Sequence, residues 1–108
     1  MPDPEPVAKR TAGRAAIENA LRLMAPRMPA HEFGAVVDHA LDSRGLDKAS
    51  PEAAAWLSLV AYVRHVLTDY DDLMQQGYDR ESARFFVAEE TEAILSDWGV
   101  RRRLAAED

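Results

Sequence analysis

Apolar residues recur three or four positions apart through the middle of the chain. Trp56, Leu59, Val60, Val63, Leu67, Tyr70 and Met74 fall on one helical stripe. The spacing predicts one unbroken helix from Pro51 to Gln76. Ser50 is placed to cap it, Pro51 suits its first turn and Glu52 complements its dipole. Between Ala53 and Val63 the pattern is apolar almost all round, interrupted only by Ser58. A helix of that kind sits in the centre of a domain, with others packed on several sides.

Three further helices are predicted. The first runs from about Ala8 to Ala25 and buries Ala16, Ile17, Ala20, Leu21 and Met24, with Arg14, Glu18 and Arg22 outside. Pro26 and Pro29 end it. The second runs from about Ala30 to Ser43, burying Phe33, Val36, Val37, Ala40 and Leu41, and stops at Gly45. The last opens at Asp79 after Gly77, runs to about Asp97, and closes at Trp98 and Gly99. No period-two alternation is sustained anywhere, so the fold class is all-α: a compact single domain of four helices around a long central third helix, with Trp56 and Trp98 as its largest anchors. Residues 1–8 alternate proline with acid and read as a disordered tail. Residues 9–99 form the helical domain, and residues 100–108 a charged C-terminal tail.

Composition narrows the functional classes. At 108 residues the chain suits one domain, and a hydrophobic content of 47% supports a modest core. It has no cysteine, which excludes disulfides, thiolate metal sites and cysteine nucleophiles and fits a reducing cytoplasm. Its longest apolar stretch is too short to cross a bilayer, and no membrane association is expected. The net charge of −6 argues against a nucleic-acid binder. Arg101, Arg102, Arg103, Arg80 and Arg84 leave only a weak nucleic-acid reading, third in order.

Candidate chemistry gathers on the second half of the long helix. On a continuous rod, Arg64, Thr68 and Asp71 share one flank, while His65 and Asp69, four apart, face away from the core. Arg64 offers a planar fork to a carboxylate or phosphate, oriented by Asp71 and joined by Arg84, or else it is an internal clamp between helices. Glu90 falls on the apolar face set by Ala83, Val87 and Ile94. It is expected to pair with Arg64, to sit at the rim, or to carry a raised pKa. His65 with Asp69 supplies only half a metal site. His31, Glu32, Asp38 and His39 lack the zinc-protease spacing, so no metal and no cofactor is expected. No nucleophile elbow or phosphate loop is present. Tyr62, Tyr78 and Phe85 offer an aromatic contact patch.

The run Ala61 to Leu73, with its arginine–histidine pair and its threonine–aspartate–tyrosine–aspartate segment, resembles a family signature. So do Gly77 to Val87, Ile94, Leu95 and Trp98. The family is domain of unknown function 2293. The resemblance is strong over the second half of the chain and loose over the first. It implies one self-contained domain and brings no activity, cofactor or catalytic residue with it. The leading functional expectation is a protein-interaction or self-association module with a protein partner or a second copy. The alternative is a small anionic-ligand binder or enzyme using Arg64, His65, Asp69 and Glu90.

Overall fold

The computed structural model of the chain describes residues 5–105 and 108, and of residues 5–12 the backbone alone. Five α-helices make up the described residues: α1 (Glu5–Met24), α2 (Ala30–Asp42), α3 (Pro51–Leu67), α4 (Tyr70–Gln75) and α5 (Arg80–Asp97). A short 3-10 turn, Arg44–Leu46, leads from α2 towards α3. The tail expected over residues 1–8 lies partly outside the described residues; from Glu5 the backbone is helical.

The predicted start signals operate where they were placed. Ser50 accepts a hydrogen bond from the Ala53 amide at 3.1 Å, and Pro51 occupies the first turn. Asp79 accepts from the Ser82 amide at 2.7 Å. Of the three glycine stops expected, Gly77 and Gly99 are Schellman closures, whereas α2 already ends at Asp42 and Gly45 lies in the 3-10 turn without a positive φ. Gly77 (φ 106°) lets the Tyr78 amide reach the Leu73 carbonyl at 3.1 Å, and Gly99 (φ 90°) lets the Val100 amide reach that of Leu95 at 2.9 Å.

As expected, α3 is the central element. Ala54, Ala55, Trp56, Leu59, Val60 and Val63 are buried along it, and it packs against α1, α2 and α5. Leu21, Val36, Val37, Leu95 and Trp98 complete the main core. Trp56 and Trp98 are 1% and 7% exposed, so both anchor as predicted. Arg27 ties the two ends of the fold together. Its amide donates to the Trp98 carbonyl at 2.9 Å, and its guanidinium donates to the Asp97 and Ser96 carbonyls at 3.2 and 3.1 Å. These are the carbonyls a helix end leaves without partners.

The unbroken rod from Pro51 to Gln76 is not what forms. Helix α3 stops at Leu67 and α4 begins at Tyr70. Thr68 takes an extended conformation (φ −130°, ψ 174°). Its hydroxyl donates back to the Arg64 carbonyl and accepts from the Tyr70 amide at 3.3 Å. A threonine hydroxyl thus replaces the helical partners that the backbone gives up at the break. Past it the apolar stripe changes neighbours: Tyr70, Leu73 and Met74 pack with Ala83 and Val87 of α5 in a second, smaller cluster.

Two results are expected. Gly99→Ala should cost about 1–3 kcal/mol, because the site needs a left-handed backbone and the new Cβ would lie 2.9 Å from Pro26 Cγ. Gly45→Ala, with nothing within 4 Å, serves as the control, and urea unfolding measures both. The second concerns Asp79. Its hydrogen bonds from Ser82 hold its carboxyl below the ordinary range. A depressed folded-state pKa contributes stability above the unfolded value and loses it as pH falls through the folded one. The stability difference between wild type and Asp79→Ala should therefore be level near neutral pH and shrink below about pH 4.

Candidate functional site

The break at Thr68 sets the geometry around Arg64. Arg64 lies on the last turn of α3, and α4 brings the Tyr70 ring to within 5.7 Å of its guanidinium. Arg64 is 6% exposed. Its Nη2 donates to the main-chain oxygen of Asp108 at 3.0 Å, and its Nε is buried with no partner. Arg84, on the second turn of α5, also has a buried Nε with no partner. The two guanidinium groups repel. Burial, and then the Arg84 charge, push the Arg64 pKa down from its ordinary value, while Tyr70 and Asp108 oppose that shift.

Arg64 and Arg84 line a groove of about 610 Å³ with Arg80 from the start of α5. Phe85 and Ala88 form an apolar wall, and Glu81 stands at the rim. Leu104, Ala105 and Asp108 lie along the groove from the segment after α5. No carboxylate side chain forms an ion pair with Arg64, Arg80 or Arg84 among the described residues. In a chain with 19 acidic residues and 13 basic ones, three arginines thus converge on one groove without a paired carboxylate side chain among the described residues.

The other sequence candidates scatter. Asp71 does not orient Arg64; its Oδ1 accepts from His65 Nδ1 at 2.5 Å, because α4 turns away from the axis of α3. Asp69 is therefore not the partner of His65, and stands exposed at the N-terminal end of α4. His65 also meets the Tyr70 ring edge-on at 5.0 Å. Thr68 forms the break itself. Glu90 is exposed and does not pair with Arg64. The buried face of α5 follows Ala83, Val87, Thr91 and Leu95 in steps of four, and Thr91 takes the inner position by donating to the Val87 carbonyl at 2.7 Å. Arg64, His65, Asp69 and Glu90 thus do not converge on one pocket. Arg64 and Arg84 do.

The remaining polar groups are used internally. Glu32, 9% exposed, accepts from the Tyr62 hydroxyl at 3.4 Å. Burial first, then the Glu32 charge and hydrogen bond, raise the Tyr62 pKa. That contact takes Tyr62 out of the expected aromatic patch, where Tyr78 instead meets Phe86 at 5.2 Å and Phe86 meets Phe85 at 6.0 Å. Arg102 lies 4.3 Å over the Trp56 ring and 3.9 Å from Asp108, and Arg103 lies 3.8 Å from Glu92. Two of the three consecutive arginines thus have acidic or aromatic neighbours within the domain while staying exposed. Among the described residues, no three histidine, aspartate or glutamate side chains gather as a metal site would require.

The profile of a family described as uncharacterised conserved proteins matches residues 20–99, from α1 to the glycine that closes α5. The chain belongs to the DUF2293 family. The matched stretch contains Arg64, Arg80 and Arg84, whereas Leu104 and Asp108 lie beyond it. The arginine side of the groove is thus part of the DUF2293 domain, and the segment lying along it follows the matched stretch. No curated protein and no solved structure matches the chain.

Crowding Arg64 and Arg84 together costs stability, which Tyr70 and Asp108 offset only in part. Arg84→Met should raise the unfolding free energy, read from urea titration, by about 0.5–1 kcal/mol at low salt, and the gain should shrink as salt screens the repulsion. A net loss of stability would show that Arg84 holds the fold rather than a ligand.

Proposed function

We propose that this domain is a cytoplasmic binding module that engages a protein partner through the arginine groove. Arg64, Arg80 and Arg84 hold an acidic group, and the Phe85 wall takes an adjoining apolar one. One observation carries the reading: Arg64 Nε and Arg84 Nε are both buried and without partners at the same groove. A buried donor left unmet is costly, and one on a charged group more so, so a pair of them at an open groove calls for an acceptor from outside. The placement of Phe85, exposed at the groove's edge, supports an occupant larger than a free ion.

His65 and Asp71 are engaged with each other, and neither lines the groove. No helix among the described residues is long and apolar enough to cross a membrane.

Inorganic phosphate tests the anion site without assuming the partner. Thermal unfolding in rising phosphate, against chloride at matched ionic strength, should show a saturating increase in Tm of several degrees, since a ligand at about 100 times its Kd adds roughly 2.7 kcal/mol. Arg84→Met should abolish the increase. A response no greater than that to chloride would remove the basis for the reading.

A further inference from the structure

The groove already has an occupant, and its chemistry is informative. After Gly99 the chain turns back along α5. Leu104 packs against the main core, and its amide donates to Glu92 Oε1 at 3.2 Å. Ala105 and Asp108 close a turn on themselves: the Asp108 amide donates to the Ala105 carbonyl at 3.0 Å, and the Ala105 amide to Asp108 Oδ2 at 2.9 Å. That turn delivers the Asp108 main-chain oxygen to Arg64 and places its side-chain carboxylate, only 6% exposed, near Arg102.

The fit is incomplete. The segment meets one nitrogen of Arg64 and leaves Arg64 Nε and Arg84 Nε unmet. Asp108 turns its carboxylate towards its own turn and towards Arg102, at 3.9 Å, instead of Arg84. Such an occupant holds the groove without using most of its donors. A ligand that meets those donors has the stronger claim to the site.

Resting on the binding reading above, we infer that the groove's partner is a peptide segment bearing a leucine-sized apolar residue followed within about one helical turn by acidic side chains. Leu104, Ala105 and Asp108 are the chain's own tethered stand-in for it. The apolar residue takes the place of Leu104. The acids supply the carboxylate oxygens that Arg84 and Arg80 lack. Because the stand-in is tethered, it competes at high effective concentration, and the partner binds by displacing it.

The test uses the full chain and a fluorescein-labelled, acetylated peptide of residues 104–108, read by anisotropy. Leu104→Gln withdraws the stand-in's anchor. It should bind the peptide about tenfold more tightly than wild type does, as expected when a tethered competitor is released. Adding Arg84→Met should reverse that gain. The peptide carrying Glu107→Gln and Asp108→Asn should bind at least tenfold more weakly than the acidic one. Should Leu104→Gln fail to fold by circular dichroism, Asp108→Ala, which opens the turn at Ala105, carries the same expectation. If phosphate raises the Tm but the released variant binds peptide no better than wild type, the peptide inference is overturned and the anion site stands. If neither phosphate nor peptide binds, the binding reading falls with it.

Discussion

Arg64 keeps its charge at any pH the protein meets, yet it is almost wholly withdrawn from water. Such a group must be satisfied by what surrounds it. Here the surroundings supply the Tyr70 ring, one main-chain oxygen, the Asp108 charge and, against them, a like charge. Every structural feature of the site follows from that imbalance. Arg64 cannot swing outward freely, because it lies on the last turn of the helix on which the core is built, flanked by buried Val63 and by Thr68 bonded to its own carbonyl. Arg84 cannot retreat either, since neighbouring Ala83 is packed against Tyr70 and α5 is fixed by Asp79 at one end and by Arg27 at the other.

The interruption at Thr68 is what makes this arrangement possible. A continuous helix would carry Tyr70 and Met74 onward along α3, and α5 would have no second cluster to rest on. By stopping α3 at Leu67, the chain folds α4 against α5 and brings the start of α5 beside Arg64. The same bend moves Asp71 from the Arg64 flank to His65, and so removes the carboxylate that would otherwise have neutralised the arginine. The groove owes its unpaired charge to a backbone event two residues long.

Features set by a few neighbouring residues were legible in the sequence. Ser50, Asp79, Gly77 and Gly99 each act through bonds within about one turn, and their residue types announce them. The central role of α3 was legible as well, because a helix apolar on all sides has only one place to go. The break was signalled by Thr68 and Asp69, both capping residues, followed by acids in the next first turn. It was masked because Leu67, Tyr70 and Met74 keep helical spacing across it. Glu90 was misplaced for a related reason: Ala83, Val87 and Ile94 suggest a face that includes it, while the true face runs in steps of four through Thr91, a polar residue that satisfies itself on the Val87 carbonyl. The site was half legible. Arg64 and Arg84 could be named together from the sequence, as an anion-binding spot or an internal clamp, but the Arg64 contact with Asp108 spans 44 residues and has no local signature.

Arg64 and Arg84 each hold a buried Nε–H with no acceptor among the described residues. Nitrogen-15 NMR of the arginine side chains observes those groups directly. The account predicts two Nε–H signals that exchange slowly with water and move together when phosphate is added, while exposed arginines such as Arg22 and Arg44 exchange fast and stay in place. Arg64 and Arg84 signals that exchange as fast as those of exposed arginines and ignore the anion would contradict it.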